Sequence, residues 1–145
     1  MSCHVASPVI DHLQACDDRI AVWIRDAGFT VVSLQGVEEL RVFVEYTQRL
    51  GSGPREVGEA ATLGWAEVHG ATAIVDEHVG HRYGVSRHVT VHRSPWLLMR
   101  GMCRTSALSS DEARVLVEEL LTSGMALPVT SGNEFVDWVE TNPQL

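Results

Sequence analysis

The chain has 145 residues, 45% of them hydrophobic, and carries a formal net charge of −8. That length suits one domain with an ordinary core, so residues 1–145 are read as a single unit. The acidic balance disfavours indiscriminate nucleic-acid binding. No apolar run reaches the ~18–20 residues of a membrane span, and the first residues lack the basic and apolar segments of a secretory signal, so the expectation is a cytoplasmic protein. The three cysteines, Cys3, Cys16 and Cys103, are widely spaced and expected to be reduced.

In chain order, Pro8 opens a short helix to Leu13, and Asp17-Asp18 cap a second helix from Arg19 to Ala27, stopped by Gly28. The β-branched run Phe29–Leu34 predicts a strand. Val37, Leu40, Phe43, Val44, Tyr46, Thr47 and Leu50 recur at helical spacing, so Val37–Leu50 is an amphipathic helix ended by Gly51. The segment from Gly51 to Arg55 reads as a loop, and Glu59 as the start of a helix that stops at Gly70. Ala71–Val75 is nearly continuously apolar, the pattern of a strand covered on both faces, and it ends at Asp76-Glu77.

A helical turn to Tyr83-Gly84 and an alternating strand His88–His92 follow. Pro95 starts a helix into Cys103. Ser109 or Ser110 caps the next helix, with Asp111 and Glu112 in its first turn and Gly124 at its close. Met125–Val129 predicts a short edge strand containing Pro128, and Ser131 with Glu134 a capping box for a terminal helix bearing Phe135 and Trp138. Such alternation predicts an α/β fold with an open, mostly parallel sheet flanked by helices.

Ligands of parallel sheets gather at the carboxyl ends of strands, which singles out Asp76 and Glu77. Glu59 stands at the start of the helix leading into the same strand, and an element pair of comparable lengths returns Asp76 towards it. Hard oxygen donors without thiolates favour Mg²⁺ or Mn²⁺, which activate water and stabilise phosphodiester transition states. Each of these acids also has a plain reading, as a helix-start residue favoured by the dipole or a cap after a strand.

All eleven basic residues are arginines, and from His78 to Ser110 there is no Asp or Glu, while Arg82, Arg87, Arg93, Arg100 and Arg104 fall there. This stretch is either a solvated face or a local match for a phosphate backbone. His78 with His81, and His88 with His92, read as surface histidines or as a transition-metal set. The four tryptophans, Trp23, Trp65, Trp96 and Trp138, are expected in core packing or a dimer face.

The run Gly58-Glu59-Ala60-Ala61-Thr62-Leu63-Gly64-Trp65-Ala66, followed by Gly70-Ala71-Thr72-Ala73-Ile74-Val75-Asp76-Glu77, resembles the signature of a PIN-domain subfamily related to VapC-type toxins. The likeness extends through Glu112–Leu127. It implies a Rossmann-like α/β/α fold, a divalent metal held by acids, and single-strand endoribonuclease activity controlled by an antitoxin protein. On that basis Glu59 and Asp76 hold Mg²⁺ or Mn²⁺, Glu77 supports them, and Arg82, Arg87 and Arg93 meet the RNA backbone of a homodimeric enzyme. Two positions of the pattern are unmatched. The family's first strand, ending in Asp, is missing or replaced, and His12 stands where a second acid belongs, with Asp11 about 100° away round the helix. Those departures make a degenerate PIN-like module, binding RNA or a partner protein without cleavage, the alternative.

Overall fold

The computed structural model describes residues 2–103 and 107–142. Among them the chain is α/β and mostly helical, with eight helices and two small parallel sheets. It divides into two compact units, Met1–His92 and Arg93–Leu145. No helix among the described residues is long and apolar enough to cross a membrane.

The first unit opens with strand β1 (His4–Ala6), followed by helices α1 (Ser7–Gln14) and α2 (Arg19–Asp26) and strand β2 (Thr30–Val32). β1 and β2 pair in parallel with Val5 opposite Val31. The sequence pattern suggests no element before Pro8. A strand forms there because its three residues find the β-branched Thr30–Val32 ladder 26 positions away, a pairing that local periodicity does not reveal. Ile10, Ala21 and Ile24 close a small core beneath this pair, with Val5, Leu13 and Phe29 against it.

Helix α3 (Val37–Leu50) is the predicted amphipathic helix, with Val42 and Tyr46 fully buried. Helix α4 runs over Pro54–His69, five residues longer at its start than the reading from Glu59. Pro54 at the first helical position has its φ preset and no amide to leave unsatisfied. Gly70 ends the helix in the left-handed conformation at φ 62°. The inner face of α4 is built from small residues, and this lets its neighbours come close. A Cβ on Gly64 would stand 3.4 Å from the backbone of Phe43 in α3, and one on Gly58 would stand 3.1 Å from Val9 in α1.

Strand β3 (Thr72–Ile74), helix α5 (His78–Ser86) and strand β4 (Thr90–His92) make a βαβ unit, with Ala73 opposite Val91. Ala60, Leu63 and Ala66 of α4 pack with Val42, Tyr46, Ala73, Val75, Val89 and Val91 to form the main core. The strands thus form two separate two-stranded sheets where the sequence pattern predicts one open sheet. Each strand is only three residues long, and pattern alone does not tell which ladders join.

The second unit contains α6 (Ser94–Cys103), α7 (Ser110–Thr122) and α8 (Gly132–Thr141). Ser109 caps α7 by accepting from the amide of Glu112, whose carboxylate accepts in return from the amide of Ser109 at 2.9 Å. Its core joins Met99, Ala113, Val117, Val129, Phe135, Val136 and Val139. The expected strand over Met125–Val129 does not form. Gly124 turns the chain at φ 88°, Met125 donates back to Leu120, and Pro128 has no amide for a ladder.

Candidate functional site

The predicted acids gather within the first unit. Leaving β3, the chain buries Val75, exposes Asp76 and places Glu77 at the N-cap of α5. Glu59 lies in the second turn of α4, and its side chain is only 16% exposed. Gly80 of α5 makes this possible: a Cβ there would stand 2.8 Å from Oε2 of Glu59 and 3.2 Å from Val75. The small-residue packing of α4 on α5 therefore carries the carboxylate up to the α5 backbone.

Arg55 completes the group. Its Nη2 lies 2.9 Å from Oε2 of Glu77, and its Nε lies 4.0 Å from Oε1 of Glu59 one turn along α4. One guanidinium thus spans the start of α4 and the turn after β3. The sequence pattern puts Arg55 in a loop and gives it no role. The signal was present in Gly53-Pro54, a start for the helix, which sets Arg55 and Glu59 at the i,i+4 spacing of helical ion pairs.

Burial pushes the Glu59 carboxyl above its ordinary range. Arg55 opposes that rise, and the charges of Glu77, Glu56 and Asp76 add to it. A carboxyl with a folded-state pKa above its unfolded value stabilises the fold below the unfolded value, and that contribution is lost as pH rises through the folded value. Glu59→Gln is therefore expected to be more stable than wild type at neutral pH, with the difference shrinking towards about pH 4. Urea midpoints at the two pH values check this, and an equal gain at both would assign it to packing.

The donor chemistry of Glu59, Asp76 and Glu77 suits a hard cation, but their arrangement does not. Among the described residues no group of three or more His, Cys, Asp or Glu side chains is placed to hold a metal ion, and Arg55 already supplies the positive charge between two of the acids. As arranged, these side chains do not fit a bound Mg²⁺ or Mn²⁺ ion. Asp11 and His12 are exposed on α1.

The arginines separate. Arg82 is exposed on α5. Arg93 is exposed and belongs to the second unit, and Arg104 lies outside the described residues. Arg87, expected to meet RNA, is 23% exposed and engaged inside the fold. It donates to both oxygens of Glu67 at 2.7 and 2.6 Å and pairs with Glu45 at 2.8 Å. Tyr46 donates its hydroxyl to the same Glu67 carboxylate, and the guanidinium lies 5.2 Å from the centroid of the Tyr46 ring. These contacts make Arg87 a clamp across α3, α4 and the end of α5. Its charge hid this role, because the partners lie 42 and 20 positions back in the chain.

Among the described residues the histidines form no group placed to hold a metal ion, and His78 and His81 lie about one turn apart on α5. His88 sits at φ 65° in the turn before β4, and His92 lies within β4. Elsewhere in the unit, Trp65 stacks on His69 at 4.4 Å and meets His4 at 4.9 Å, and His69 bonds Glu39. Trp65 therefore packs within the unit, while Trp23 stands largely exposed on α2. Compared with known proteins, the chain matches no family model, no curated protein and no solved structure.

Proposed function

We propose that the chain is a PIN-like module of Rossmann-like ancestry, related to the metal-dependent single-strand endoribonucleases of toxin–antitoxin systems, that binds single-stranded RNA without cleaving it. The observation that carries this reading is Arg55, paired with Glu77 and set against Glu59 where the resembled enzymes hold a cation. The RNA ligand is supported by exposed Arg82 on α5, the helix whose N-cap is Glu77, and by the absence of acids from His78 to Ser110. In this reading Glu59, Asp76 and Glu77 shape an acidic floor, and exposed Arg82 of the same unit meets phosphates. An antitoxin-like protein, a second copy of the chain and a cytoplasmic setting belong to the same proposal.

Fluorescence anisotropy with a labelled single-stranded RNA tests it. Binding is expected to survive EDTA, to weaken with salt, and to weaken about threefold to tenfold in Arg82→Ala, with the salt slope reduced by about 0.7. Binding lost in EDTA, or unchanged in Arg82→Ala, would contradict the reading.

A second reading keeps the nuclease activity, with Glu59 and Asp76 as ligands of Mg²⁺ or Mn²⁺ and Glu77 beside them. One observation favours it: Glu77, Glu56 and Asp76 all repel charge on Glu59, a crowding that a cation would relieve. RNA cleavage that requires Mn²⁺ and disappears in Asp76→Ala would establish this reading over the first.

A further inference from the structure

The acid group is contributed by two segments that approach each other only in the folded unit, the first two turns of α4 and the turn between β3 and α5. Glu59 is largely enclosed, so its charge is screened less than that of a surface acid. Glu77 faces it from the α5 side, 41% exposed. Two such carboxylates need a positive charge between them, and a guanidinium answers this in a way that a lysine does not. It stays charged at every working pH, and its fork reaches two acceptors at once.

Arg55 meets both requirements from within the chain. Its side chain is 65% exposed, so the guanidinium contacts the two acids from the solvent side. A divalent ion drawn to these acids meets the positive charge of Arg55 beside them and competes with it for Oε2 of Glu77.

We infer that Arg55 is the built-in counter-cation of this acid group, tying Glu59 to Glu77 in place of a divalent ion and excluding Mg²⁺ and Mn²⁺ from the wild-type chain. This rests on the acid group of the proposed function but not on RNA being its ligand. Cation binding and RNA binding are therefore read in separate assays.

Binding of Mn²⁺ to the full chain, followed by water-proton relaxation, tests the inference. Wild type is expected to show no saturable site at millimolar Mn²⁺. Arg55→Gln removes the charge and is expected to gain affinity by about tenfold or more. Arg55→Gln with Asp76→Asn is expected to lose that gain. Arg55→Lys keeps a positive charge and is expected to stay closer to wild type than to Arg55→Gln. Far-UV circular dichroism verifies that each variant is folded, and if Arg55→Gln is not, Arg55→Met takes its place. Equal Mn²⁺ binding by wild type and Arg55→Gln would overturn the inference, as would an Arg55→Gln chain that binds no better than wild type. Failure of RNA binding both with and without EDTA would leave these outcomes unaffected and would count against the RNA ligand alone.

Discussion

Replacing Gly132 by alanine is expected to destabilise the second unit by about 3 kcal/mol, since overpacking that cannot be relieved by a side-chain rotation falls at the high end of its range. Gly132 is the first residue of α8, and its amide donates to Oε1 of Glu118 on α7 at 2.7 Å. A Cβ there would collide with the Arg114 carbonyl oxygen and stand 2.9 Å from the Arg114 carbonyl carbon and Cα. All three atoms are helix backbone, so α8 as a whole must retreat from α7. The retreat opens the seam where Phe135, Val136 and Val139 pack against Ala113 and Val117. Asn133→Ala, one residue on at an exposed position, is expected to change stability by less than about 0.5 kcal/mol. Urea unfolding of the three proteins checks this, and an unchanged midpoint for Gly132→Ala would show that the two helices are not in such close contact.

Leu63→Ala is expected to cost about 3 kcal/mol, the middle of the range for truncating a buried leucine. Leu63 is fully buried on α4, one turn beyond Glu59, and belongs to the main core with Tyr46, Val75 and Val91. Its Cδ2 would stand 2.7 Å from a Cβ on Gly84 of α5. The two positions are therefore coupled. Gly84→Ala alone is expected to destabilise, because its methyl also meets Val91 at 2.8 Å, but its cost is expected to fall in the Leu63→Ala background where one obstacle is gone. A double-mutant cycle in urea measures the coupling, and strictly additive effects would contradict the packing described. The contact bears on the acid group as well. It sets how closely α5 lies on α4, and that spacing holds Glu59 against Gly80.

Much of this was legible from local signals. The apolar spacing of Val37–Leu50 and the serine cap of the helix after Ser109 or Ser110 both lie within a few turns of chain, and both helices form, the second capped by Ser109. The nearness of Glu59 to Glu77, both within reach of Arg55, follows from chain geometry, because the helix from Glu59 to His69 and the extended run into Glu77 span comparable distances. What escaped depended on partners distant in sequence. Arg87 sat in an acid-free run that suggested exposure, yet its acids come from α3 and α4. β1 had no local signature and exists through β2. Arg55 was misplaced for a local reason: the glycines before Pro54 outweighed the helix start that Pro54 itself provides. That single boundary decided whether the acid group was read with its counter-charge or without it.

The most direct test of a module that binds but does not cut is one incubation of the full chain with labelled single-stranded RNA in millimolar Mn²⁺, resolved both on a native gel and on a denaturing one. A shifted complex on the native gel and full-length RNA on the denaturing gel are the expected results. Shortened RNA that is absent when Asp76→Ala replaces the wild type would contradict them.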